Sequence, residues 1–169
     1  MIANAGAGSN ESIPMHNELS IRPATSGDRS AIATIAEATE LFPGDMLPDM
    51  IAGYLDGSVP DIWLTVCSMD EPVAFAFCEP ERMTNGTWNL LAIGVTPDRQ
   101  SEGIGAHLLQ RLEALLREAG HRVLLVETLG RPEFSRTRSF YLNNGFVEEA
   151  CIRDFYEAGG DKIVFWKQL

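Results

Sequence analysis

Cysteine is scarce in this chain of 169 residues, three in all. Cys67, Cys78 and Cys151 are an odd set, widely spaced and without a C-x-x-C pair, which argues against a disulfide framework and against a structural zinc site. A reducing, cytoplasmic setting is the expectation that follows. Long apolar runs are lacking too. The longest uncharged stretch, Met83 to Pro97, is too short for a bilayer span and is broken by Asn85, Gly86 and Asn89, so no membrane segment is expected. No basic residue precedes Arg22, which leaves a secretory signal without its charged start. The histidines His16, His107 and His121 share no spacing with one another or with carboxylates that would mark a metal site or a nucleophilic triad.

Positive charge is the most unevenly rationed resource. Residues 1–98 hold 3 Arg against 14 Asp and Glu, whereas residues 99–169 hold 10 basic and 10 acidic groups, so the whole net charge of −11 lies in the first region. Nucleic acid is therefore not an expected partner. If the two regions build one site, the second tolerates an anionic ligand and the first favours a cationic one. What remains is ordinary for a globular protein: 45% hydrophobic residues, 22% charged, and one domain's length.

Along the chain, residues 1–17 carry Gly, Ser, Asn and Pro without hydrophobic period and read as a flexible tail, leaving residues 18–169 as the domain. Leu19 and Ile21 alternate as a strand. Thr25 and Asp28 stand in capping-box spacing before Ile32, Ile35 and Ala36 at helical spacing, and a second helix is expected from Met46 to Leu55. Ile62 to Met69, Val73 to Cys78 and Thr87 to Val95 read as an antiparallel meander. Ile104, Leu108, Leu112, Leu115, Leu116 and Ala119 form one helix face, and Val123 to Glu127 then becomes a strand parallel to its predecessor. A last helix over Ser135 to Asn144 precedes a hairpin of Phe146 to Phe155 with Lys162 to Lys167. Cys151, in that hairpin, is expected to be a small buried hydrophobe.

Gln100-Ser101-Glu102-Gly103-Ile104-Gly105-Ala106 joins the last meander strand to the strong helix. Free N–H groups at a helix start, the positive end of the dipole and missing side chains at two glycines suit phosphate oxygens, although the glycines also serve a tight turn. Two better-known phosphate loops fail: Leu108 stands where the dinucleotide fingerprint needs its third glycine, and no Gly-Lys-Ser or Gly-Lys-Thr occurs.

Gln100-x-x-Gly103-x-Gly105 resembles the pyrophosphate-binding motif Q/R-x-x-G-x-G/A of the GCN5-related N-acetyltransferase (GNAT) family, and the order of elements and Phe140-Tyr141-Leu142-Asn143-Asn144-Gly145-Phe146 are similar to it. The resemblance implies an α/β (α+β) fold with a mixed, centrally splayed sheet of about six to seven strands flanked by about four helices. It implies acetyl-CoA as cosubstrate, with the pantetheine arm on Ile93, Gly94 and Val95, the diphosphate on Gln100 to Ala106, and no metal. Tyr141 matches the family tyrosine that protonates the departing thiolate. Asn89 occupies the position of a glutamate found in some members and is left to orient a water, with Glu127 and then Glu79 as alternative carboxylates for the proton of a primary amine acceptor. The expected protein is an N-acetyltransferase, monomeric or homodimeric through its C-terminal strands. Asn89 keeps open a second reading, a non-catalytic acyl-CoA sensor of the same fold.

Overall fold

A computed structural model describes residues 19–169; the expected tail and Glu18 lie outside the described residues. The elements are β1 (Leu19–Pro23), α1 (Arg29–Ala38), α2 (Leu47–Asp56), β2 (Ile62–Ser68), β3 (Glu71–Pro80), β4 (Thr87–Val95), α3 (Ile104–Glu118), β5 (Val123–Leu129), α4 (Ser135–Asn143), β6 (Val147–Glu157) and β7 (Gly160–Gln168). They make a seven-stranded sheet in the order β1-β2-β3-β4-β5-β7-β6. Every neighbouring pair is antiparallel except β4 with β5, where the connection passes through α3 and returns to the same end of the sheet.

The meander strands are apolar on both sides because both sides are covered. Leu64, Val66, Ala74, Ala76 and Leu90 pack under α3 with Leu108, Leu109 and Leu112, while Trp63, Phe75, Phe77 and Ala92 pack under α1 and α2 with Ile32, Ile35, Leu47 and Ile51. Trp63 stacks on Phe77 with ring centroids 4.2 Å apart. β3 starts at Glu71, two residues before the expected Val73: Met69 and Asp70 both take positive φ, 50° and 67°, and that two-residue turn brings Glu71 opposite Ser68. The capping box forms, with the Asp28 carboxylate accepting from Thr25 N–H at 2.7 Å and from Thr25 Oγ1 at 2.9 Å. Arg22 grips the same carboxylate through both guanidinium ends, which holds Asp28 down to about 2.

Cys151 corrects an expectation. β6 is the edge strand and is exposed along its whole length, so Cys151 is exposed while Cys67 and Cys78 are buried. Among the described residues no helix is long and apolar enough to cross a membrane.

A buried charge ties the second helix layer together. Glu113 on α3, 3% exposed, accepts from Lys167 Nζ of β7 at 2.6 Å and from Arg117 at 3.0 Å, and Lys167 also donates to the carbonyl of Asn144 at the end of α4. Removing one partner of such a pair strands the other charge away from water. Glu113→Ala is expected to lower unfolding stability by about 3 kcal/mol in urea denaturation, with Glu113→Leu/Lys167→Met recovering part of it. A loss near zero for Glu113→Ala would show that the pair holds nothing together.

Candidate active site

β4 and β5 pair only from Thr87–Leu90 against Val123–Val126. Beyond that point β4 stays with β3 as far as Val95 opposite Ala74, and β5 stays with β7 as far as Leu129 opposite Lys162. The two strands therefore diverge in the middle of the sheet, and the backbone of Ile93 to Val95 on the β5 side is without a strand partner, a condition that a ligand's amide groups can relieve. A bulge marks the start of the divergence. Phe77 lies opposite Ala92 and Cys78 opposite Leu90, so Leu91 is the extra residue and is 44% exposed rather than buried like its neighbours.

The divergence opens into a cavity of about 590 Å³ that runs between the two helix layers. Thr39 and Leu41, just past α1, line it from one layer; Phe140, Tyr141 and Asn144 line it from the other. Its floor is Ile93, Gly94 and Val95, and its far wall is Arg99, Gln100, Ser101, Gly103, Ile104, Gly105 and Ala106. Of the residues singled out from sequence, Glu102, Asn89, Glu127 and Glu79 do not line it.

The loop geometry follows from two glycines with different reasons to be there. Gly103 takes φ +82°, a left-handed conformation that starts α3 with its first intrahelical bond from His107 N–H to Gly103 O at 3.1 Å. The N–H groups of Ile104, Gly105 and Ala106 thus stand outside the intrahelical ladder, at the cavity these residues line, with the positive helix end behind them. Gly94 serves packing instead: a Cβ there would sit 3.0 Å from Leu41 and 3.1 Å from Phe75, so a larger residue would make these side chains give way where the end of α1 closes over β4.

Side chains around the loop are less simply arranged than the motif implies. Gln100 donates its amide to the Val95 carbonyl at 3.2 Å, bracing the loop on β4, and Glu102 is paired with Arg99 at 2.8 Å. Arg136 reaches from α4 to Ser101 Oγ at 2.7 Å and lines the cavity, so two guanidinium groups, Arg99 and Arg136, face it together with one carboxylate, Glu133. Arg131 instead pairs with Glu157 and Arg138 caps the carbonyls of Leu129 and Arg131, which assigns these two to holding the β5–α4 connection.

Tyr141 is 5% exposed and packs against Phe140, Phe146 and Phe165 with ring centroids 5.3, 5.6 and 5.6 Å away. Burial pushes its phenol well above the ordinary tyrosine value, so the group is fully protonated near neutrality. Glu127 is the first β5 residue beyond the paired segment, and Lys162 Nζ donates to its Oε2 at 2.9 Å. Asn89 is 4% exposed; its Nδ2 donates to Glu81 Oε1 at 3.0 Å and its Oδ1 has no donor among the described residues.

A family model described as an acetyltransferase (GNAT) domain matches residues 60–148, which is β2 through the start of β6 with the whole cavity loop inside it. The chain belongs to the GNAT family. Its seven strands and four helices make the fold of that family's solved structures. A GNAT-family protein of Desulfovibrio desulfuricans is 29% identical, with a TM-score of 0.83 over 89% of this chain and 99% of its own. The ribosomal-protein-S18-alanine N-acetyltransferase of Escherichia coli is 21% identical with a TM-score of 0.72, covering 89% and 94% of the two chains. A Salmonella typhimurium protein solved with its cofactor acetyl-CoA is 20% identical with a TM-score of 0.70 over the same shares, 89% and 94%. At the last two identities the likeness is one of fold. No curated protein matches the chain in sequence.

Proposed function

We propose that this GNAT-family chain is an N-acetyltransferase that moves an acetyl group from acetyl-CoA to a primary amine by direct attack, with Tyr141 as the general acid. The observation that carries this reading is the single cavity that joins the α3 N-terminus, the unpaired edge of β4 and the Tyr141 ring. The residues present fit the cosubstrate: N–H groups and two arginines for phosphates at one end, and unpaired strand backbone for an amide-bearing arm along the floor. In this reading Ile93, Gly94 and Val95 hold the arm, and Gln100 to Ala106 with Arg136 hold the diphosphate.

The acceptor nitrogen must be neutral to attack the thioester carbonyl carbon. As the C–N bond forms and the C–S bond breaks, negative charge gathers on sulfur, and the Tyr141 hydroxyl gives up its proton there. Lys162 engages Oε2 of Glu127, and Oε1 is the atom that receives the acceptor's proton through water, since Glu127 does not line the cavity itself. Asn89 cannot take that proton, since a carboxamide is not basic near neutrality, and its amide is already committed to Glu81. The acidic first 98 residues, which build α1, α2 and the meander, favour a positively charged acceptor.

Two measurements test the reading together. Acetyl-CoA is expected to raise the Tm of the chain in proportion to the logarithm of its concentration, and thiol release is expected with some members of a panel of amines, amino acids, aminoglycosides, polyamines and peptides. Stabilisation without thiol release or product across the whole panel would leave an acyl-CoA sensor in place of an enzyme; no stabilisation at all would remove both.

A further inference from the structure

On the α1/α2 face of the sheet, negative charge is gathered in one place. Register puts Asn89 of β4 directly opposite Glu79 of β3 on the same face as Gly94 and Ala92, and the pairing of Ile62 with Cys78 places Asp61 opposite Glu79 from the other side. Glu81, just past β3, holds the Asn89 amide at 3.0 Å. None of Asp61, Glu79 and Glu81 has an ion-pair partner among the described residues, whereas Glu127 on the same face is met by Lys162. Glu79 pays for this. Desolvation first, and then the charges of Asp61 and Glu81, push its carboxyl up, with Arg82 offsetting in the smallest measure; desolvation pushes Asp61 up as well.

A second observation points into the same cluster. Asn89 is only 4% exposed, and its Oδ1 meets no donor among the described residues although the Nδ2 of the same planar group is fixed on Glu81. A buried acceptor without a donor is costly, and protein interiors rarely leave one unless something external supplies it. Three part-desolvated carboxylates and an orphaned carbonyl oxygen ask for the same visitor: a group with several N–H donors and a positive charge. An ammonium has three donors and no acceptor.

We propose that Asp61, Glu79, Glu81 and Asn89 Oδ1 form a subsite for a non-reacting ammonium of the acceptor, which makes the preferred acceptor a diamine or polyamine rather than a monoamine. The inference rests on the acetyltransferase reading for the reacting end only. Two different nitrogens are required because the carboxylates that attract an ammonium also stabilise its protonated form, and a protonated nitrogen has no lone pair for attack. The position agrees. Asn89 is four residues from Ile93 along an extended strand, roughly 13 Å, with the exposed side chain of bulged Leu91 between them as an apolar bed for a methylene chain.

The test uses the full chain with coenzyme A bound, and compares spermidine and spermine with n-butylamine, by calorimetry for binding and by thiol release from acetyl-CoA for turnover. At least tenfold tighter binding of the polyamines is expected, falling to near parity in Glu79→Gln; Glu118→Gln, an exposed change of equal charge on the opposite layer, should keep the preference. A retained thermal shift with coenzyme A shows that Glu79→Gln is folded. Equal binding of all three amines by the unaltered protein, or a preference that survives Glu79→Gln, overturns the subsite. Turnover of n-butylamine alongside equal binding would leave the acetyltransferase reading standing without it; a Glu79-dependent polyamine preference without turnover would do the reverse.

Discussion

Tyr141→Phe is expected to lower kcat on the order of 100- to 1000-fold while leaving the affinity for acetyl-CoA close to its starting value. The substitution removes one oxygen and keeps the ring, and the ring is what Phe140, Phe146 and Phe165 pack against. Stability should therefore change little, since the ring packing that the substitution keeps is what ties Tyr141 to its neighbours. What is lost is the proton at the place where sulfur acquires charge, and the expected fall corresponds to about 3–4 kcal/mol of transition-state stabilisation. Because burial holds the phenol protonated, the defect should be equally deep at neutral and mildly alkaline pH. A merely structural tyrosine would show itself as a lowered Tm with kcat intact. Unchanged kcat in a folded Phe variant would remove the acid role and pass the leaving sulfur's proton to solvent.

The elements of this fold were legible because each follows from local pattern. The helix face of α3 stands in the spacing of Ile104, Leu108, Leu112 and Leu116, and the order strand, helix, strand with a right-handed crossover leaves β4 and β5 little choice but to be parallel. The loop at Gly103 was legible for the same reason: a glycine at the start of a strong helix is a local signal with a local cause. Departures came where a run looks uniform. Leu90 to Val95 reads as one buried strand, and nothing in it announces that Leu91 is bulged and exposed, since a bulge depends on the partner strand's register at Phe77 and Cys78. Cys151 was misplaced because apolar neighbours promise burial only when a second layer exists, and no helix covers β6.

The site divides along the same line. The backbone segments that line its cavity, Ile93 to Val95 and Gln100 to Ala106 apart from Glu102, are contiguous in sequence and stand out there as motifs. Thr39 and Leu41 enter the cavity where α1 closes over β4 at Gly94, a contact between distant segments, and Arg136 is distinguished from Arg131 and Arg138 by reaching Ser101, 35 positions away in sequence. Carboxylates were hardest. Glu127 and Glu79 both stood out by lying at strand ends, yet Glu127 is the one that Lys162 meets, whereas Glu79 is pushed up by desolvation and then by the charges of Asp61 and Glu81, which two strand pairings bring near it. Long-range pairing of side chains leaves no mark on spacing.

Gly103→Arg is expected to raise the Kd for coenzyme A on the order of 100-fold, with Gly103→Ala far milder. Both variants force a side chain onto φ +82°, which costs each about 1–2 kcal/mol of stability. The Cβ itself is free of clash in both, because a Cβ at this position meets nothing within 4 Å among the described residues. The difference between them is therefore the arginine side chain standing in the space before Ile104, Gly105 and Ala106. An arginine carries charge that phosphates attract, and the outcome depends on which effect is larger. Hydrogen bonds from N–H groups to a charged oxygen are worth roughly 1.5–3 kcal/mol each, so displacing two of them costs about 3 kcal/mol or more. The solvent-exposed ion pair offered in exchange returns about 1 kcal/mol at most. The net loss, about 2–3 kcal/mol, is the stated change in Kd. Normal coenzyme A affinity in a folded Gly103→Arg protein would mean that the diphosphate lies elsewhere in the cavity, and would shift its binding to Arg99 and Arg136 alone.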